Sequence, residues 1–349
     1  MTRRWTPLLA LVAGVVLVAS ACGGGDDDAA TDTTEAAEEA ELVVYSGRDE
    51  ELVGPLIDMF EEESGITTEV RYGDSAEMAA ALLEEGENTP ADVFYSQEVG
   101  TVGALSKAGL LSPLPEDVVA EVPERYRPAE GTDWVGVTGR SRVIVVNPDV
   151  IDDAPTTVEE LTEAQYEGEV GWAPGNASFQ SFVTAYRVGQ GEQAASDWLD
   201  AMIENDTQVY ENNVSILEAV EAGDLGAGLI NHYYWARMAD EVGGAENMAS
   251  DLVFLEEGDP GALVNATAVA ITTTGADNPA SLEFVEFLLS PEAQEYFVTE
   301  TKEYPLVDGV EGPAELPAIE ELVGPEIDLG DLDSVEETIT VLTDKGLLG

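Results

Sequence analysis

Basic residues, histidine and cysteine are scarce in this sequence of 349 residues. Lysine and arginine number 13 against 72 aspartates and glutamates, so the formal net charge is −59. A field of this size and sign repels phosphate backbones and anionic lipid headgroups, which argues against nucleic-acid binding. The acidic residues are spread along the whole chain and form no single cluster with the spacing of metal ligands. We interpret them as a solvated acidic surface, as in proteins adapted to high salt.

The single histidine and single cysteine also limit the chemistry that the protein can perform. They argue against catalysis by a Cys–His pair and against most zinc sites. The sequence contains no nucleophile elbow and no glycine–lysine phosphate loop. We therefore predict that the protein is not an enzyme. A hydrolase that uses carboxylates alone and a purely structural cell-surface protein are the alternatives from other classes.

Two arginines, an apolar run over residues 8–18 and three small residues come before Cys22. This order is typical of a signal peptide, and Cys22, as the only cysteine, suits the lipidated first residue of a mature lipoprotein. We therefore predict a lipoprotein signal peptide over residues 1–21 and an extracytoplasmic protein anchored to the cell membrane through a lipid on Cys22. An uncleaved membrane anchor is the alternative, but the apolar run is short for a spanning helix.

Residues 22–40 are rich in Gly, Asp, Thr, Ala and Glu and have no aromatic residue. They predict an acidic, disordered tether. Beyond it, short apolar runs alternate with segments of helical spacing, and this alternation restarts after residue 148. The pattern predicts an α/β fold of two lobes, each with a mostly parallel sheet flanked by helices. We assign residues 41–142 and 265–349 to lobe 1 and residues 143–264 to lobe 2.

Three local predictions concern single elements. The polar run Thr138-Gly139-Arg140-Ser141 is interpreted as a turn between two strands, at residues 134–137 and 142–146. Ser75 is expected to cap the helix that follows it. A helix is predicted near residues 157–163.

Two adjacent tyrosines, Tyr233 and Tyr234, follow a short apolar strand that ends near Ile230. Open α/β sheets bind ligands outside the carboxyl ends of their strands. A phenol ionises only near pH ~10, but a hard, highly charged cation on its oxygen favours the phenolate. The pair is therefore a candidate ligand set for a ferric ion. Alternatively, the two rings are one core and one surface residue on the first turn of a helix.

An ordered set of motifs, rather than any single one, is similar to a known family. The motifs are Val44-Tyr45-Ser46-Gly47-Arg48, Tyr72-Gly73-Asp74, Pro90-Ala91-Asp92-Val93-Phe94-Tyr95, Gly139-Arg140-Ser141-Arg142, Asn231-His232-Tyr233-Tyr234 and Glu303-Tyr304-Pro305-Leu306. In this order and spacing the chain resembles the ferric-ion substrate-binding proteins of ABC transporters, over residues 42–310. The resemblance implies a monomer with a type II periplasmic-binding-protein fold, whose lobes are joined by hinge strands. The lobes would close over Fe³⁺ and deliver it to a membrane permease.

The resemblance also implies site residues, and the chain departs from the family pattern at some of them. The tyrosine pair matches Tyr233 and Tyr234. Where many relatives have a His or Tyr ligand this chain has Asp49, and where some have Glu it has Gln97 followed by Glu98. We keep Asp49 and Gln97 as candidate metal ligands, since hard oxygen donors suit Fe³⁺, with helix capping as the alternative for each. A third tyrosine of one branch would fall at Val146.

The resemblance further implies a synergistic anion, carbonate or phosphate. A helix start with a hydroxyl offers donors to an oxyanion, and arginines can anchor it or pair with local acids. The candidate contacts are Asn176, Ala177, Ser178, Asn213, Arg48 and Arg140, with Arg142 as a further conspicuous cation. His232 is expected to lie behind the ligands or beside the hinge. A binding protein for another small solute, such as a polyamine, thiamine or an oxyanion, is the alternative function.

Overall fold

The computed structural model describes residues 41–348. The predicted signal peptide, the tether up to residue 40 and Cys22 lie outside the described residues. The strands are β1 (Glu41–Ser46), β2 (Thr67–Tyr72), β3 (Val93–Ser96), β4 (Leu111–Ser112), β5 (Val135–Val146), β6 (Val170–Trp172), β7 (Gln208–Val209), β8 (Ala227–Asn231), β9 (Asp251–Val253), β10 (Val264–Thr272) and β11 (Tyr304–Pro305). The helices are α1 (Glu50–Ser64), α2 (Ser75–Glu85), α3 (Val99–Lys107), α4 (Glu116–Val119), α5 (Ala177–Gln190), α6 (Glu192–Glu204), α7 (Asn213–Ala222), α8 (His232–Glu241), α9 (Pro279–Leu289), α10 (Pro291–Tyr296) and α11 (Val335–Asp344). In this part of the chain, no helix has the length and apolar character needed to cross a membrane.

The predicted α/β fold with two lobes is confirmed. Each lobe contains parallel strands, β2-β1-β3 in lobe 1 and β8-β6-β7 in lobe 2. The antiparallel strands β10 and β5 lie between these two groups, so the sheet is mixed. Because the parallel strands of each lobe are followed by helices, their carboxyl ends place loops and helix starts at a common edge.

The interpretation of residues 138–141 as a turn is wrong. Residues 135–146 form one long strand, β5, which pairs with β10 along its first half and with β8 along its second. The polar side chains that suggested a turn are buried and bonded. Thr138 shares a hydrogen bond with Thr267 (2.8 Å between the hydroxyl oxygens), and Arg140 pairs with a carboxylate. Strand β5 therefore runs from one lobe into the other, as a hinge strand does.

Two other local predictions also fail for identifiable reasons. Asp74, not Ser75, occupies the N-cap position of α2. The Ser75 hydroxyl instead donates to the Gly47 carbonyl (3.3 Å) and accepts from the Gln97 amide (2.9 Å), so it ties together two strand-end turns. Residues 157–163 contain only a 3₁₀ turn, Glu160–Thr162, and the Glu160 carboxylate accepts from the Thr156 amide (2.7 Å) that precedes it.

The hydrophobic core is divided in the same way as the sheet. One large cluster surrounds β1, β3 and β10, and two smaller clusters surround β6 and β8. Helix α11 contacts helix α5 of lobe 2. Its Leu342 lies in one of the lobe 2 clusters, and its Thr338 hydroxyl lies 2.7 Å from that of Thr184 in α5. We therefore propose to assign α11 to lobe 2 and to end lobe 1 near Ser334.

Helix α3 packs closely against the segment that precedes α11, and a substitution in α3 can test how tight this contact is. A Cβ at Gly100 would overlap the backbone carbonyl of Leu332, with its carbon at 2.8 Å. Since backbone atoms cannot move aside cheaply, Gly100→Ala is expected to lower the free energy of unfolding by about 1–3 kcal/mol. The measurement is urea unfolding of the metal-free protein followed by tryptophan fluorescence.

Gly189→Ala is the matched control, since Gly189 also lies within a helix, α5. Its Cβ would meet its nearest atom, in Ile327, at an ordinary 3.5 Å. Removing a helical glycine without a clash is expected to leave stability unchanged or raise it by up to about 1 kcal/mol. Equal effects of the two substitutions would show that the Gly100 contact is not tight.

Candidate functional site

The tyrosine pair lies where the sequence predicted it, directly after a buried strand. Strand β8 ends at Asn231, and Tyr233 and Tyr234 lie in the first turn of α8. Their ring centroids are 4.3 Å apart, with an angle of 34° between the ring planes. Burial, together with Tyr233, raises the pKa of the Tyr234 phenol well above its ordinary value, while Arg48 acts in the opposite direction. In the metal-free protein the Tyr234 phenol is therefore neutral, and a strongly charged cation is needed to ionise it.

Asp49 occupies the N-cap position of α1, but its side chain makes no capping hydrogen bond. It is exposed, and its charge acts on Tyr234 and on Arg48. The carboxylate is thus free for another role at the edge of the site. The sequence left two roles open for Asp49, helix cap and metal ligand. Since Asp49 makes no capping bond, its role as a metal ligand stays a prediction.

Gln97 and Glu98 follow β3 and reach across to lobe 2. The Gln97 side chain donates to the Ser178 hydroxyl (3.1 Å), and that hydroxyl donates to Glu98 Oε1 (3.0 Å). Glu98 also accepts from Arg140 Nη2 (2.9 Å). Since Ser178 belongs to α5 of lobe 2, these bonds hold the two lobes in contact at this point.

The remaining candidate contacts for an anion are divided between two helix starts. Asn176 caps α5, because its side-chain oxygen accepts from the Ser178 amide (3.1 Å), and Ala177 is the first residue of that helix. Asn213 begins α7 and is buried, and neither polar atom of its side chain has a hydrogen-bond partner among the described residues. An unpaired buried amide of this kind is costly, so Asn213 has donor capacity left for a bound group.

Three arginines are buried next to these residues. Arg48 pairs with Glu303 (2.8 Å), and Arg140 pairs with Glu98. Arg142 lies over the rings of Phe179 and Phe182, each at 5.3 Å, and donates to the Leu229 carbonyl. Burial lowers the pKa of Arg142 to about 10. Its Nε and Nη1 have no hydrogen-bond partner among the described residues, and the same is true of Nε and Nη1 of Arg48.

Sequence reasoning missed three residues that hold this network together, namely Glu303, Asn231 and Asn265. Asn231 donates to the Ser178 hydroxyl (3.0 Å), and Asn265 donates to Glu98 Oε2. Glu303 and Asn231 were present in the family motifs, yet their partners lie far away in sequence. The scarcity of cations was the one available signal, since each buried arginine requires a nearby acid.

His232 connects the tyrosine-bearing helix to both hinge-side elements. It is fully buried, and its Nδ1 accepts from the Ser141 amide (3.1 Å) while its Nε2 lies 2.9 Å from the Lys302 carbonyl oxygen. This pattern places the ring proton on Nε2, as a donor to Lys302. The histidine therefore supports the first turn of α8 from behind.

Burial lowers the pKa of His232 to about 4, and this predicts a pH dependence of stability. In the unfolded chain the pKa of histidine is about 6.5, so the unfolded state binds more protons between these two values. The stabilising effect of neutral His232 is complete above pH ~6.5 and is lost as the pH falls toward ~4, by at most about 3 kcal/mol. Urea unfolding of the metal-free protein at several pH values, compared with His232→Gln, measures it.

The informative quantity is the difference in the free energy of unfolding between wild type and His232→Gln, because the many carboxylates of both proteins also titrate in this range. As His232 is the only histidine, the variant removes the whole histidine contribution. Wild type is expected to lose stability more steeply than the variant between pH 6.5 and 4. Parallel curves would mean that the ring accepts a proton in the folded state.

No group of three or more His, Cys, Asp and Glu side chains within residues 41–348 is arranged to hold a metal ion. The space enclosed by Glu98, Arg140, Arg142, Ser178, Asn231, Leu263 and Asn265 has a volume of only about 10 Å³. That is room for no more than one water molecule. A larger surface cavity of about 700 Å³, lined among others by Arg125 and Arg127, contains none of the predicted site residues.

Comparison with known proteins identifies the family of the chain. Residues 55–322 match the family described as bacterial extracellular solute-binding protein. The chain is 32% identical over 311 residues to the major ferric iron-binding protein of Neisseria meningitidis serogroup B, covering 88% of this chain and 93% of that relative. It is 30% identical to the Fe(3+)-binding periplasmic protein of Serratia marcescens, covering 88% of this chain and 90% of that relative.

A solved structure gives the same result. Iron-bound HitA from Pseudomonas aeruginosa superposes with a TM-score of 0.81 at 31% identity, covering 88% of this chain and 99% of that one. Proteins of this family bind and transport a solute, so the prediction that the protein is not an enzyme is confirmed. The chain belongs to the bacterial extracellular solute-binding proteins, and within them to the ferric iron-binding type that serves ABC transporters.

Proposed function

We propose that this protein captures Fe³⁺ between its two lobes and delivers it to an ABC permease in the membrane. The observation that carries the proposal is the phenol pair, Tyr233 and Tyr234, at the end of a buried strand with ring centroids 4.3 Å apart. Two phenolates supply hard, charged oxygen donors, which Fe³⁺ prefers. The names of the relatives from Neisseria and Serratia support the same cargo.

Further oxygen donors complete the proposed coordination. Asp49 is exposed at the site edge and has no capping bond, so its carboxylate is free to approach the ion. Gln97 lies beside the cleft, where its side-chain oxygen is a second candidate. Each negative ligand reduces the cost of bringing a trivalent cation out of water.

The resemblance to the family leads us to expect an anion beside the iron, with carbonate and phosphate as the external candidates. The donors for it are Ser178 and Ala177 at the start of α5, Asn176 that caps it, and Asn213 at the start of α7. A helix N-terminus favours an oxyanion through its free amides and its dipole. Arg48 and Arg140 are already paired with carboxylates and set the positive background of the site. Arg142 and Arg48 each have two nitrogens without a hydrogen-bond partner among the described residues, and these nitrogens are the proposed donors to the anion.

In this proposal, the protein works outside the cytoplasm as a monomer that is held to the membrane by a lipid on Cys22. The acidic segment up to residue 40 would keep the two lobes at a distance from the surface. Residues 41–142 with 265–334 form the proposed lobe 1, and the rest of the folded chain forms lobe 2. Iron release would follow from opening about the hinge strands when the protein meets its permease.

An absorption titration tests the proposal. Metal-stripped protein is titrated with ferric citrate, with and without bicarbonate, while the visible spectrum is recorded. A phenolate-to-iron band that saturates at one equivalent is the expected result. The lack of such a band under every anion condition would direct attention to another small solute, and Tyr233 and Tyr234 would then be only walls of the cleft.

A further inference from the structure

We propose that the carboxylate of Glu98 acts as a built-in anion, which takes the place between the lobes otherwise left to carbonate or phosphate. This inference rests on the proposed function and concerns the same site. It predicts that the protein binds iron without an external anion.

The position of Glu98 is the first support. It stands at the N-cap position of α3 but makes no capping hydrogen bond there. Its side chain instead extends to donors on three other elements. Oε1 accepts from Ser178 in α5 (3.0 Å) and from Arg140 in β5 (2.9 Å), and Oε2 accepts from Asn265 in β10. A carboxylate held by three donors in this way resembles a bound oxyanion more than a helix cap.

The donors involved are the second support. Ser178 and Arg140 are two of the residues that the family resemblance assigns to an external anion. In this chain both donate to Glu98, and Asn231 donates to the same Ser178 hydroxyl (3.0 Å). An external anion would therefore have to displace Glu98 from its partners. The displaced carboxylate would remain buried, since Glu98 is only 2% exposed.

Space and charge give the third support. The cavity left among these side chains holds at most one water molecule, whereas carbonate and phosphate have four and five heavy atoms. Glu98 also neutralises Arg140, as Glu303 neutralises Arg48. The third buried arginine, Arg142, is stabilised first by the charge of Glu98 and then by Tyr233 and Tyr234, so it needs no additional anion once these tyrosines are phenolates.

The test compares wild type, Glu98→Ala and the control Glu50→Ala. Glu50 carries the same charge near the site but is exposed in the first turn of α1. Iron-free protein in carbonate-free, phosphate-free buffer is loaded with iron(II) chloride that is oxidised by oxygen freed of carbon dioxide, so that no chelating anion is added. The phenolate-to-iron band is then measured alone and after addition of bicarbonate, phosphate or formate.

Wild type and Glu50→Ala are expected to show the full band in anion-free buffer, with an apparent affinity that added anions change by less than about 3-fold. Glu98→Ala is expected to bind iron about 10-fold or more weakly in that buffer, because a charge-assisted contact is lost. Formate or bicarbonate should restore its affinity by filling the vacated space.

Each other outcome overturns the inference. If wild type needs an added anion for its band, Glu98 does not replace one, and this result stands even if Glu98→Ala fails to fold. If Glu98→Ala binds iron as wild type does in anion-free buffer, the carboxylate is not needed. If no protein gives a band under any condition, the proposed iron function fails and the inference fails with it.

Discussion

Replacing Tyr234 by phenylalanine is expected to weaken Fe³⁺ binding at least about 100-fold, which corresponds to about 3 kcal/mol. The same loss is expected for Tyr233→Phe, because each substitution removes one charged oxygen donor and leaves the ring in place. The phenolate-to-iron band should shift and lose intensity in each variant and disappear in the double variant. Absorption titration with ferric citrate, in competition with a chelator of known affinity, measures both the spectrum and the affinity.

The loss should arise at the metal and not from unfolding. Both rings keep their packing in these variants, because only the hydroxyl group of each tyrosine is removed. The free energy of unfolding of the metal-free protein is therefore expected to change by no more than about 1 kcal/mol. Circular dichroism and urea unfolding before iron loading establish this point.

Tyr166→Phe is the matched control for the chemical change. Tyr166 is also a buried tyrosine of lobe 2, but its hydroxyl donates to the Asp153 carbonyl (2.9 Å), away from the strand ends. Iron binding by this variant should equal that of wild type. If Tyr233→Phe and Tyr234→Phe also bind iron as wild type does, the phenol pair is not the ligand set.

The parts of the fold that could be predicted from the sequence are those determined by local pattern. Apolar runs such as residues 42–45 and 67–72 alternate with helical spacing, and the strands β1 and β2 lie there. The tyrosine pair was located by the same logic, since an apolar strand leads directly into it. Strand β5 escaped prediction because its middle is polar, and only the distant partners Thr267 and Glu98 show that this polar run belongs in a sheet.

The site could be predicted only in part, and for the same reason. Which loops meet is set by topology, and the loops after β1 and β3 meet at the Ser75 hydroxyl, which bonds to Gly47 in one and to Gln97 in the other. Which side chain accepts from which donor depends on residues far apart in sequence, such as Glu98 and Asn265, at a separation of 167 residues. A helix N-cap position and a cross-lobe ligand look identical in sequence, so Glu98 could not be distinguished from a cap until its partners were seen.

The buried ion pair between Arg48 and Glu303 is a second example of pairing between residues far apart in sequence, and its contribution to stability can be measured. Both side chains are fully buried, at 0% exposure each, and they lie 255 residues apart in sequence. Glu303 Oε2 also accepts from the Thr301 hydroxyl (3.0 Å). Burial alone would lower the pKa of Arg48, but the Glu303 carboxylate raises it above its ordinary value. The guanidinium therefore remains charged and depends on this one partner.

Glu303→Gln is expected to lower the free energy of unfolding by about 3–5 kcal/mol, because it leaves a buried positive charge without compensation. Arg48→Met should cost somewhat less, since the Glu303 carboxylate then keeps only the more distant Arg140 guanidinium (3.9 Å) as a cationic partner. The double variant should lose much less than the sum of the two, because each single change already removes the attraction between the charges. Urea unfolding of the four metal-free proteins gives this coupling directly.

Arg71→Met serves as the surface control. Its ion pair with Glu85 is long (3.6 Å), and the two side chains are 46% and 29% exposed. A change in the free energy of unfolding within about 0.5 kcal/mol is therefore expected. Additive losses for Arg48 and Glu303 would show that the two charges do not compensate one another, and the buried arginines would then need another source of negative charge.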